Sequence, residues 1–555
     1  MIRYPVVSPA SAIITGDALV VADLAALKAL PSPYPRAVMT QCRTDAGDEA
    51  GGLWVFQTND QSGNVTADVR SSIWAAPTSA SSGASGAWQR QFTGPMNAKW
   101  FGAKGDGIAV DTATLQDAVN YSASLGNGLL IPAGTYLVGN IIIPSNSNIQ
   151  GSGIDSTILK RTGNLSAAIF EAVTYGNLSA TRQNIAISGI TFDVNNDPLG
   201  SCIYVLNVTN FTVRDCIMKN HPIWGIHVGI EGARASTTTI TCFDILIENC
   251  RFPTCGTTYE GVALFNAKNC VVSNCYFAGK TSSVGIGVGL YQVLVGVTVE
   301  NCTFENIEKG SYYAISVDEV TYSNCRFLNC TSLGIQGANE SDNGLFGRTD
   351  ARGVSVVGCY FYNCDVACII GAVTGGYVGD CVFEANIDNA LVIAGGLLLS
   401  GATSAPCLGL MIQGCMFRNN NSGNTAPAIH PGVLFNRIGG ALQAFFVGCT
   451  WVDDQGTPTQ LNAVSFDGAF TWSAIYFIGC SMPSYGAGNT ISAIGGSTIT
   501  GIQLSNCTNV GALAAGSYNT SVLVGSTYTA GAPAATGYVL MYDASGATYK
   551  VLVST

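Results

Sequence analysis

A cysteine recurs from residue 216 to residue 507 inside one short phrase, and this repeat constrains the fold more than any other feature. Forms of the phrase include "NCRFPT", "NCYFAG", "NCTFEN" and "GCYFYN". The repeating cysteines are Cys216, Cys250, Cys275, Cys302, Cys325, Cys359, Cys381, Cys415, Cys449, Cys480 and Cys507. Their mean spacing is about 29 residues, which is typical of solenoid proteins.

The residues around each repeating cysteine predict a strand, a bend and a second strand. The residue before the cysteine is always Asn, Asp or Gly, the types that tolerate left-handed backbone angles. Upstream runs such as "VGVTVEN" alternate in polarity, and a third run of the form small, apolar, variable, apolar follows, as in "GVALFN". The predicted fold class is therefore all-β, a right-handed parallel β-helix with three strands per coil.

The twenty cysteines raise the question of disulfides or zinc. Disulfide frameworks belong mainly to small secreted domains, and spacings such as Cys325 to Cys330 do not match a zinc knuckle. We therefore interpret the repeating cysteines as small buried thiols that stack between rungs, with stacked disulfides and zinc sites as the alternatives. We expect no metal and no cofactor.

The charge and the hydropathy of the chain argue against a nucleic-acid partner, a secretory signal and insertion into a membrane. The formal charge is −11 and no Lys/Arg run occurs, so we expect no nucleic-acid partner. The N-terminal stretch "MIRYPVVSPASAIITGD" has early prolines and no sustained apolar segment, so it does not predict a secretory signal. The least charged stretch, "NALVIAGGLLLSGATSAPCLGLMIQG", is interrupted by Gly, Ser, Thr and Pro, so we expect no membrane insertion.

The stretch "WFGAKGDGIAVDTATLQ" looks at first like a nucleotide site. It lacks the Gly-Lys-Ser/Thr ending of a P-loop, so a structural role is favoured. Asp111 is a suitable N-cap for a helix over 111–123. The helix has a mostly apolar face formed by Leu115, Ala118, Val119 and Ser122, so we expect it to cover the open end of the first coil.

The same region resembles a known family. "WFGAKGDGIAVDTATLQDAV", "LLIPAGTYLV" and "IQGSGIDSTIL" together resemble the start of the pectate-lyase-like β-helix domain of bacteriophage tailspike proteins. The family form has two adjacent aspartates before the threonine, whereas Val110 stands in the first of these places here. The preceding "DLAALKALPSPYPRAVMTQC" is similar to the N-terminal module of many such proteins.

The resemblance implies a homotrimer that is assembled in the host cytoplasm and carried on the virion. It implies attachment to the phage tail or baseplate through the N-terminus. It also implies a bacterial surface polysaccharide as partner, whether capsule, exopolysaccharide or lipopolysaccharide, which is often cleaved.

Three domains follow from these features. We predict an N-terminal attachment module over 1–95 and the parallel β-helix over 96–510. Residues 511–555 form a C-terminal β-rich region, in which "YVLMYDASGATYKVLVST" reads as a hairpin around Asp543 to Gly546. That hairpin either caps the β-helix or pairs around a trimer axis.

Candidate site residues come from the outward column of the third strands. In this alignment the column includes His227, Ala263, Gly287, Ser316, Gln336 and His430, and Asp318 lies two residues along on the same face with Glu340 on the next rung. The insertion "NESDNGLFGRTDARG" is the most polar loop of the repeat region.

The predicted catalytic carboxylates are Asp318, Glu340, Asp342 and Asp350. The predicted substrate-binding residues are Trp224, His227, Glu231, Tyr291, Tyr313, Gln336, Arg348 and Arg352. A solvated surface with ion pairs is the structural alternative for these charges.

Cleavage of a glycan by hydrolysis needs two carboxyl groups that flank the scissile bond. The predicted function is therefore a tailspike that binds a bacterial polysaccharide and cleaves it as an endo-glycosidase. A polysaccharide lyase is the second possibility, because a Lys, Arg, His or Tyr side chain can take the proton beside a uronate carboxylate. A non-enzymatic receptor-binding spike is the third, since no catalytic motif in the sequence is diagnostic.

Overall fold

The computed structural model of the chain describes most of the residues from 19 to 553. These are residues 19–163, 168–172, 180–230, 240–255, 260–279, 285–314, 317–339, 351–371, 373–394, 407–422, 431–436, 442–467, 471–472, 474–483, 490–493, 498–499, 502–510, 522–524, 537–542 and 548–553.

A small mixed sheet lies at the N-terminal end. Its five strands are Leu19–Val21, Ala37–Thr40, Gly52–Gln57, Trp74–Ala75 and Ala87–Gln91. Two short α-helices, Leu24–Lys28 and Ser62–Ala67, and the 3₁₀ turn Thr78–Ala80 accompany it. The 3₁₀ turn Ala98–Phe101 packs with the core of the β-helix instead. The core of this sheet contains Trp54 and Trp88, both fully buried. These strands form a sheet of their own, and the predicted N-terminal attachment module over 1–95 stays a prediction.

From residue 96 onward the strands stack in parallel into three faces, so the predicted β-helix with three strands per coil is confirmed. Face 1 precedes the repeating cysteine and comprises Met96–Asn97, Gly128–Ile131, Asn148–Gly151, Arg182–Ser188, Val208–Arg214, Cys242–Glu248, the C-terminal halves of Glu260–Ser273 and Ile286–Glu300, Val317–Ser323, Ala351–Arg352, Ser355–Val357, Val373–Thr374, Tyr377–Gly379, Cys407–Gln413, Leu442–Val447, Ile475–Ile478, Ile502–Ser505 and Val522–Val524.

Face 2 follows the cysteine and is a sheet of its own. Its strands are Asp106–Val110, Gly134–Val138, Thr157–Arg161, Thr191–Asp193, Ile217–Lys219, Arg251–Cys255, Tyr276–Gly279, Thr303–Glu305, Arg326–Leu328, Tyr360–Tyr362, Val382–Glu384, Met416–Arg418 and Thr450–Val452. Face 3 holds the third strands, which are Ile141–Ile142, Ala168–Glu171, Ser201–Val205, Ile226–Val228, the N-terminal halves of Glu260–Ser273 and Ile286–Glu300, Lys309–Ala314, Leu333–Asn339, Val366–Gly371, Leu391–Ala394, Val433–Asn436, Val464–Asp467 and Ile491–Ala493.

The corner between faces 1 and 2 is the predicted one-residue bend. Every residue directly before a repeating cysteine has a positive φ, from 51° at Asn506 to 63° at Gly448. Asn, Asp and Gly enter this left-handed region at low cost, and a β-branched residue would be strained there. The prediction of a left-handed corner is therefore confirmed at each rung.

The interior of the coil is a set of ladders. All twenty cysteines are unpaired and buried. The aromatic residue two positions after the cysteine also points inward, and neighbouring rings stack 4.6–5.0 Å apart in the series Phe252, Phe277, Phe304, Phe327, Phe361, Phe383, Phe417 and Trp451. Buried thiols facing the same core as these rings agree with the interpretation of the cysteines as small apolar residues.

The helix predicted over 111–123 is present as Thr112–Ser124, with Leu115, Ala118, Val119 and Ser122 buried. Asp111 stands at the N-cap, but the prediction that its side chain caps the helix is wrong. Its carboxylate accepts hydrogen bonds from the backbone N–H groups of Lys104 and Gly105 at 2.7 and 2.9 Å. Asp111 thus holds the "GAKGDG" loop closed, because a buried carboxylate needs donors and that loop supplies two.

Replacing Asp111 with Asn tests this role. Asn keeps the size of the side chain but loses the charge and presents one oxygen to two donors. We expect the free energy of unfolding, measured by urea denaturation, to fall by about 1–3 kcal/mol. Asp106→Asn is the control, since the exposed Asp106 carboxylate also accepts two loop N–H groups and its loss should change little. Equal effects of the two substitutions would contradict the role given to Asp111.

The structure corrects the register of the third strands. The outward column of face 3 runs Tyr204, His227, Ala263, Gly289, Tyr312, Gln336, Ile369, Val392, Leu434 and Ser465. Gly289 therefore takes the place predicted for Gly287. Tyr312 takes the place predicted for Ser316, and Leu434 takes the place predicted for His430. Ser316 and His430 lie outside the described residues. The stretch "SYYA" forms the third strand in its rung, whereas Val317–Ser323 already belongs to face 1.

The C-terminal region is described in part. Gly537–Tyr542 and Thr548–Val553 pair antiparallel, as the predicted hairpin requires. The first of these strands pairs in parallel with Val522–Val524, which continues face 1. The turn predicted around Asp543 to Gly546 lies outside the described residues. Thr471–Trp472 and Thr498–Ile499 form a further two-stranded sheet.

Candidate functional site

A carboxyl group surrounded by aromatic side chains lies on the outer side of face 3. Glu260 Oε2 accepts a hydrogen bond from Trp224 Nε1 at 3.0 Å, and its Oε1 accepts from the Tyr312 hydroxyl at 2.7 Å. The Tyr291 hydroxyl also donates to Oε1. Trp224, Glu260, Tyr291 and Tyr312 come from four successive rungs and are called the Glu260 cluster here.

The environment of Glu260 changes its acidity. The residue is 1% exposed, and burial raises the pKa of its carboxyl to about 7 because the charged form loses its hydration. The Tyr291 hydroxyl, the Trp224 indole and the charge of Lys309 oppose this shift without cancelling it. Glu260 therefore exchanges its proton near neutral pH, as a general acid or base must.

Gly289 makes room for this arrangement. It lies in the outward column between Ala263 and Tyr312. A Cβ atom at this position would be 2.8 Å from Glu260 Cγ and 2.9 Å from the Tyr312 hydroxyl. The missing side chain allows the carboxyl to lie against the sheet, beneath the tyrosine hydroxyls.

A row of stacked rings extends the cluster along the coil axis. His227 stacks on Tyr204 at 4.4 Å and on Phe265 at 4.9 Å, and Phe265 stacks on Tyr291 at 4.4 Å. Tyr291 meets Tyr312 edge to face at 4.7 Å. Of the cluster's aromatic residues, Tyr291 is half-buried, while Tyr312 and Trp224 are buried. The Tyr291 side chain is therefore the part of the cluster most open to solvent.

His227 is part of the packing of this row. Its Nε2 donates to the Gly229 carbonyl at 2.7 Å, and its buried Nδ1 has no hydrogen-bond partner among the described residues. Burial lowers the pKa of the imidazole to about 3, so the ring is neutral at physiological pH. His227 is fully buried, so the expectation that it lies at the surface is wrong.

The structure brings together three of the sequence-predicted binding residues, Trp224, His227 and Tyr291. Gln336 lies one rung beyond Tyr312 in the same column and is half-buried. Tyr313 is a correction: it faces inward and is fully buried in the main core, because neighbouring residues on a strand point to opposite sides. It is not placed to stack on a sugar.

Asp318 is a second correction. It lies on face 1, in register with Val295 and Arg352, and not on the face that carries His227. In that rung the strand Lys309–Ala314 lies on face 3. Asp318 comes after the corner at which the chain passes from face 3 to face 1. Glu231, Glu340, Asp342, Arg348 and Asp350 lie outside the described residues. Neighbouring Asp318 and Arg352 agree with the structural alternative of a charged surface.

Sequence reasoning missed Glu260 and Phe265 as site residues. A glutamate directly before the apolar run "GVALF" was a possible signal, since a charged residue at the start of a buried strand needs partners. The three residues that donate hydrogen bonds to Glu260 are distant in sequence, so the sequence around Glu260 did not show what it would bind to.

Within the described ranges, no group of three or more His, Cys, Asp or Glu side chains is arranged to hold a metal ion. Among the same residues no helix is long and apolar enough to cross a membrane.

A family model described as rhamnogalacturonase A/epimerase, pectate lyase-like, matches residues 96–336. This stretch is pectate-lyase-like. The match starts at the first strand of face 1 and includes the whole Glu260 cluster. The match agrees with the predicted pectate-lyase-like resemblance over these residues, which are less than half of the chain, and the candidate site lies within them.

Curated relatives match shorter stretches. The preneck appendage protein of Bacillus phage PZA is 26% identical over 200 residues, which are 33% of this chain and 22% of that protein. Mannuronan C5-epimerase AlgE1 of Azotobacter vinelandii is 35% identical over 118 residues, 19% of this chain and 8% of the epimerase. Depolymerase 1, capsule KN3-specific, of Klebsiella phage KN3-1 is 38% identical over 91 residues, 14% of this chain and 11% of that protein. The chain thus spans about a fifth or less of the length of these relatives.

Proposed function

We propose that this protein is a phage tail spike that binds a bacterial surface polysaccharide and cleaves it by acid–base catalysis at the Tyr291–Glu260 pair. The hydrogen bond from the hydroxyl of the half-buried Tyr291 to the buried Glu260 carboxyl carries the proposal. Tyr291 is open enough to touch a glycan, and Glu260 behind it has a pKa of about 7. The pair can therefore move a proton between the substrate and a group that titrates at neutral pH.

In hydrolysis the pair acts as the acid. The Tyr291 hydroxyl gives its proton to the glycosidic oxygen while the protonated Glu260 carboxyl returns a proton to the tyrosine oxygen. A second carboxylate takes a proton from the water that attacks the anomeric carbon as the glycosidic bond breaks. It then releases that proton to solvent, and Glu260 regains its proton from solvent. Glu340, Asp342 and Asp350 remain the proposed sources of that carboxylate, because they follow the face 3 strand Leu333–Asn339 in the chain.

Proton abstraction is the second candidate reaction. With Glu260 ionised, the Tyr291 hydroxyl passes its proton to Glu260 as the tyrosine oxygen takes the proton beside a uronate carboxylate. In elimination the bond to the glycosidic oxygen then breaks as a C=C bond forms in the uronate, and the Tyr291 hydroxyl returns the abstracted proton to the departing oxygen. In epimerisation a proton from solvent adds to the opposite side of the same carbon, and the pair releases the abstracted proton to solvent. The tyrosine–carboxylate hydrogen bond supports this reading, as does the relative named as a mannuronan C5-epimerase.

The assembly remains part of the proposal. The protein forms a homotrimer, and the N-terminal module attaches it to the phage tail, so that the β-helix meets the bacterial surface. The relatives named as a phage preneck appendage protein and a capsule-specific depolymerase support a virion location. Glu231, Gln336, Arg348 and Arg352 remain proposed contacts to the glycan around the pair.

The products decide between the reactions. Purified protein is incubated with capsular polysaccharide or lipopolysaccharide from a bacterium to which it adsorbs. New reducing ends without ultraviolet absorbance indicate hydrolysis, absorbance of an unsaturated uronate indicates elimination, and altered sugar signals in proton NMR without chain shortening indicate epimerisation. We expect new reducing ends. If none of the three changes appears on glycan that the protein binds, the enzyme proposal fails and a binding spike remains.

A further inference from the structure

Face 2 carries a surface pattern that repeats after three rungs. The residue that follows the cysteine of each rung points outward, and over six consecutive rungs in the middle of the coil it reads Arg251, Tyr276, Thr303, Arg326, Tyr360 and Val382. The third and sixth of these rungs also place a glutamate two residues further on, in "NCTFEN" and "DCVFEA". The order Arg, Tyr, Glu therefore occurs twice on consecutive rungs.

The two sets have the same geometry. Arg251 is in register with Tyr276, and the Tyr276 hydroxyl donates to Glu305 Oε2 on the next rung at 3.2 Å. These three residues are the first triad. The second triad repeats both contacts: Arg326 is in register with Tyr360, whose hydroxyl donates to Glu384 Oε2 at 2.8 Å.

The triads are accessible. Arg251 and Arg326 are exposed, and neither forms a salt bridge with another residue that the structure describes. The tyrosines and glutamates are half-buried. Glu384 in the second triad also lies 3.4 Å from Arg418 Nη1, and the Arg418 guanidinium is paired with Asp454 at 2.6 Å.

Packing does not require the pattern. The stability of each rung comes from the inward cysteine and phenylalanine, which are buried whatever residue stands between them. Thr303 and Val382 occupy the same outward column, so small and β-branched residues also fit there. Two triads with the same register on this face therefore indicate a ligand that presents the same groups twice.

The rung spacing gives the repeat length of that ligand. The phenylalanines directly beneath the triads are 4.9, 4.7 and 4.8 Å apart from Phe277 to Phe361. Three rungs therefore separate equivalent atoms of the triads by about 14 Å, as expected for a strand spacing of about 4.8 Å.

We infer that face 2 binds a linear acidic polysaccharide along the coil axis, with an acidic group recurring about every 14 Å. Each arginine pairs with a carboxylate of the glycan, each tyrosine ring packs against a sugar, and each glutamate accepts from sugar hydroxyls. The inference deepens the proposed function, since it states the chemical class of the polysaccharide. It also places an extended binding surface on a different face from the Glu260 cluster.

The test measures retention of the full-length protein on immobilised polysaccharides. The panel contains linear acidic and neutral bacterial polysaccharides, including alginate and its carboxyl-reduced form. We expect salt-sensitive retention on at least one acidic polysaccharide and its loss when the carboxyl groups are reduced. The double variant Arg251→Ala/Arg326→Ala should bind that polysaccharide about tenfold or more weakly, because charged hydrogen bonds at both triads are lost.

A second double variant controls for net charge. Arg214→Ala/Lys268→Ala removes the same two charges from exposed positions on face 1 and should retain wild-type binding. Equal weakening by both double variants, retention on neutral polysaccharides alone, or retention on none of the panel would overturn the inference. Glu260→Gln should lower the rate of cleavage strongly but keep retention, so failure of the proposed catalysis is seen separately from failure of this surface.

Discussion

Replacing Tyr291 with Phe lowers the turnover number on the cleaved polysaccharide by about 100-fold or more, the usual contribution of a positioned proton donor or acceptor. The substitution removes one hydroxyl and keeps the ring that stacks on Phe265 at 4.4 Å. Substrate binding and thermal melting should therefore change little. The KM and kcat are measured separately by reducing-end assay, because a merely structural role would not lower kcat alone.

Tyr476→Phe is the matched control for Tyr291→Phe. Tyr476 is half-buried and stacks on Phe445 at 4.8 Å, but it lies on face 1, away from Glu260. It should keep full activity. Wild-type turnover in Tyr291→Phe would move the reaction to another part of the protein.

The pH profile of the wild type gives the direction of proton transfer. Since the pKa of Glu260 is about 7, the pair is a proton donor below that pH and an acceptor above it. Activity that falls as pH rises through about 7 indicates the acid role in hydrolysis, and activity that rises indicates the base role in elimination or epimerisation. Glu260→Gln should remove this inflection in either case.

The coil could be predicted from sequence because each rung repeats local requirements. A left-handed corner before Cys302 needs only Asn, and the inward direction of Cys302 and Phe304 follows from the alternation of a strand. Neither depends on the length of the loops that separate rungs. The helix Thr112–Ser124 was predictable for the same reason, since its apolar face is local.

The third strands could not be aligned reliably, and the site depends on them. "SYYA" and "AISVDE" both fit the pattern of small, apolar, variable, apolar, so the pattern did not distinguish Tyr312 from Ser316 or place Asp318 correctly. A shift of a few residues along the chain moves a side chain to another face of the coil. The register of such a strand is decided by its pairing with the strand of the previous rung. The sequence of a single rung does not show which residues pair.

The Glu260 cluster was hidden for a further reason. A glutamate at the start of a strand predicts a solvated surface group, as charged residues usually are. Its burial requires Gly289 to leave space and tyrosines from later rungs to supply hydroxyls. These residues come together only once the coils are stacked.

Glu260→Gln should also change how stability depends on pH. The folded-state pKa of Glu260, about 7, lies above its usual value of 4.5, so the folded protein holds this proton more tightly than the unfolded chain. Its stabilising contribution is complete below pH 4.5 and is lost as pH rises through about 7, a change of about 3 kcal/mol. Gln does not titrate, so relative to the wild type the variant should gain about this much between pH 4.5 and pH 8, measured by urea denaturation.

The buried His227 and His221 side chains make the free energy of unfolding depend on pH in the opposite direction, in the wild type and in Glu260→Gln alike. Burial lowers their pKa values to about 3 and about 4, so their contribution is present above pH 6.5 and is lost as pH falls. Both proteins lose this histidine contribution to stability at low pH. The difference between their free energies of unfolding therefore reports the titration of Glu260. Glu300→Gln on face 1 should follow the wild-type curve. A Glu260→Gln curve parallel to the wild type would mean that Glu260 keeps an ordinary pKa in the folded protein, and the proton-transfer role proposed for the Tyr291–Glu260 pair would lose its basis.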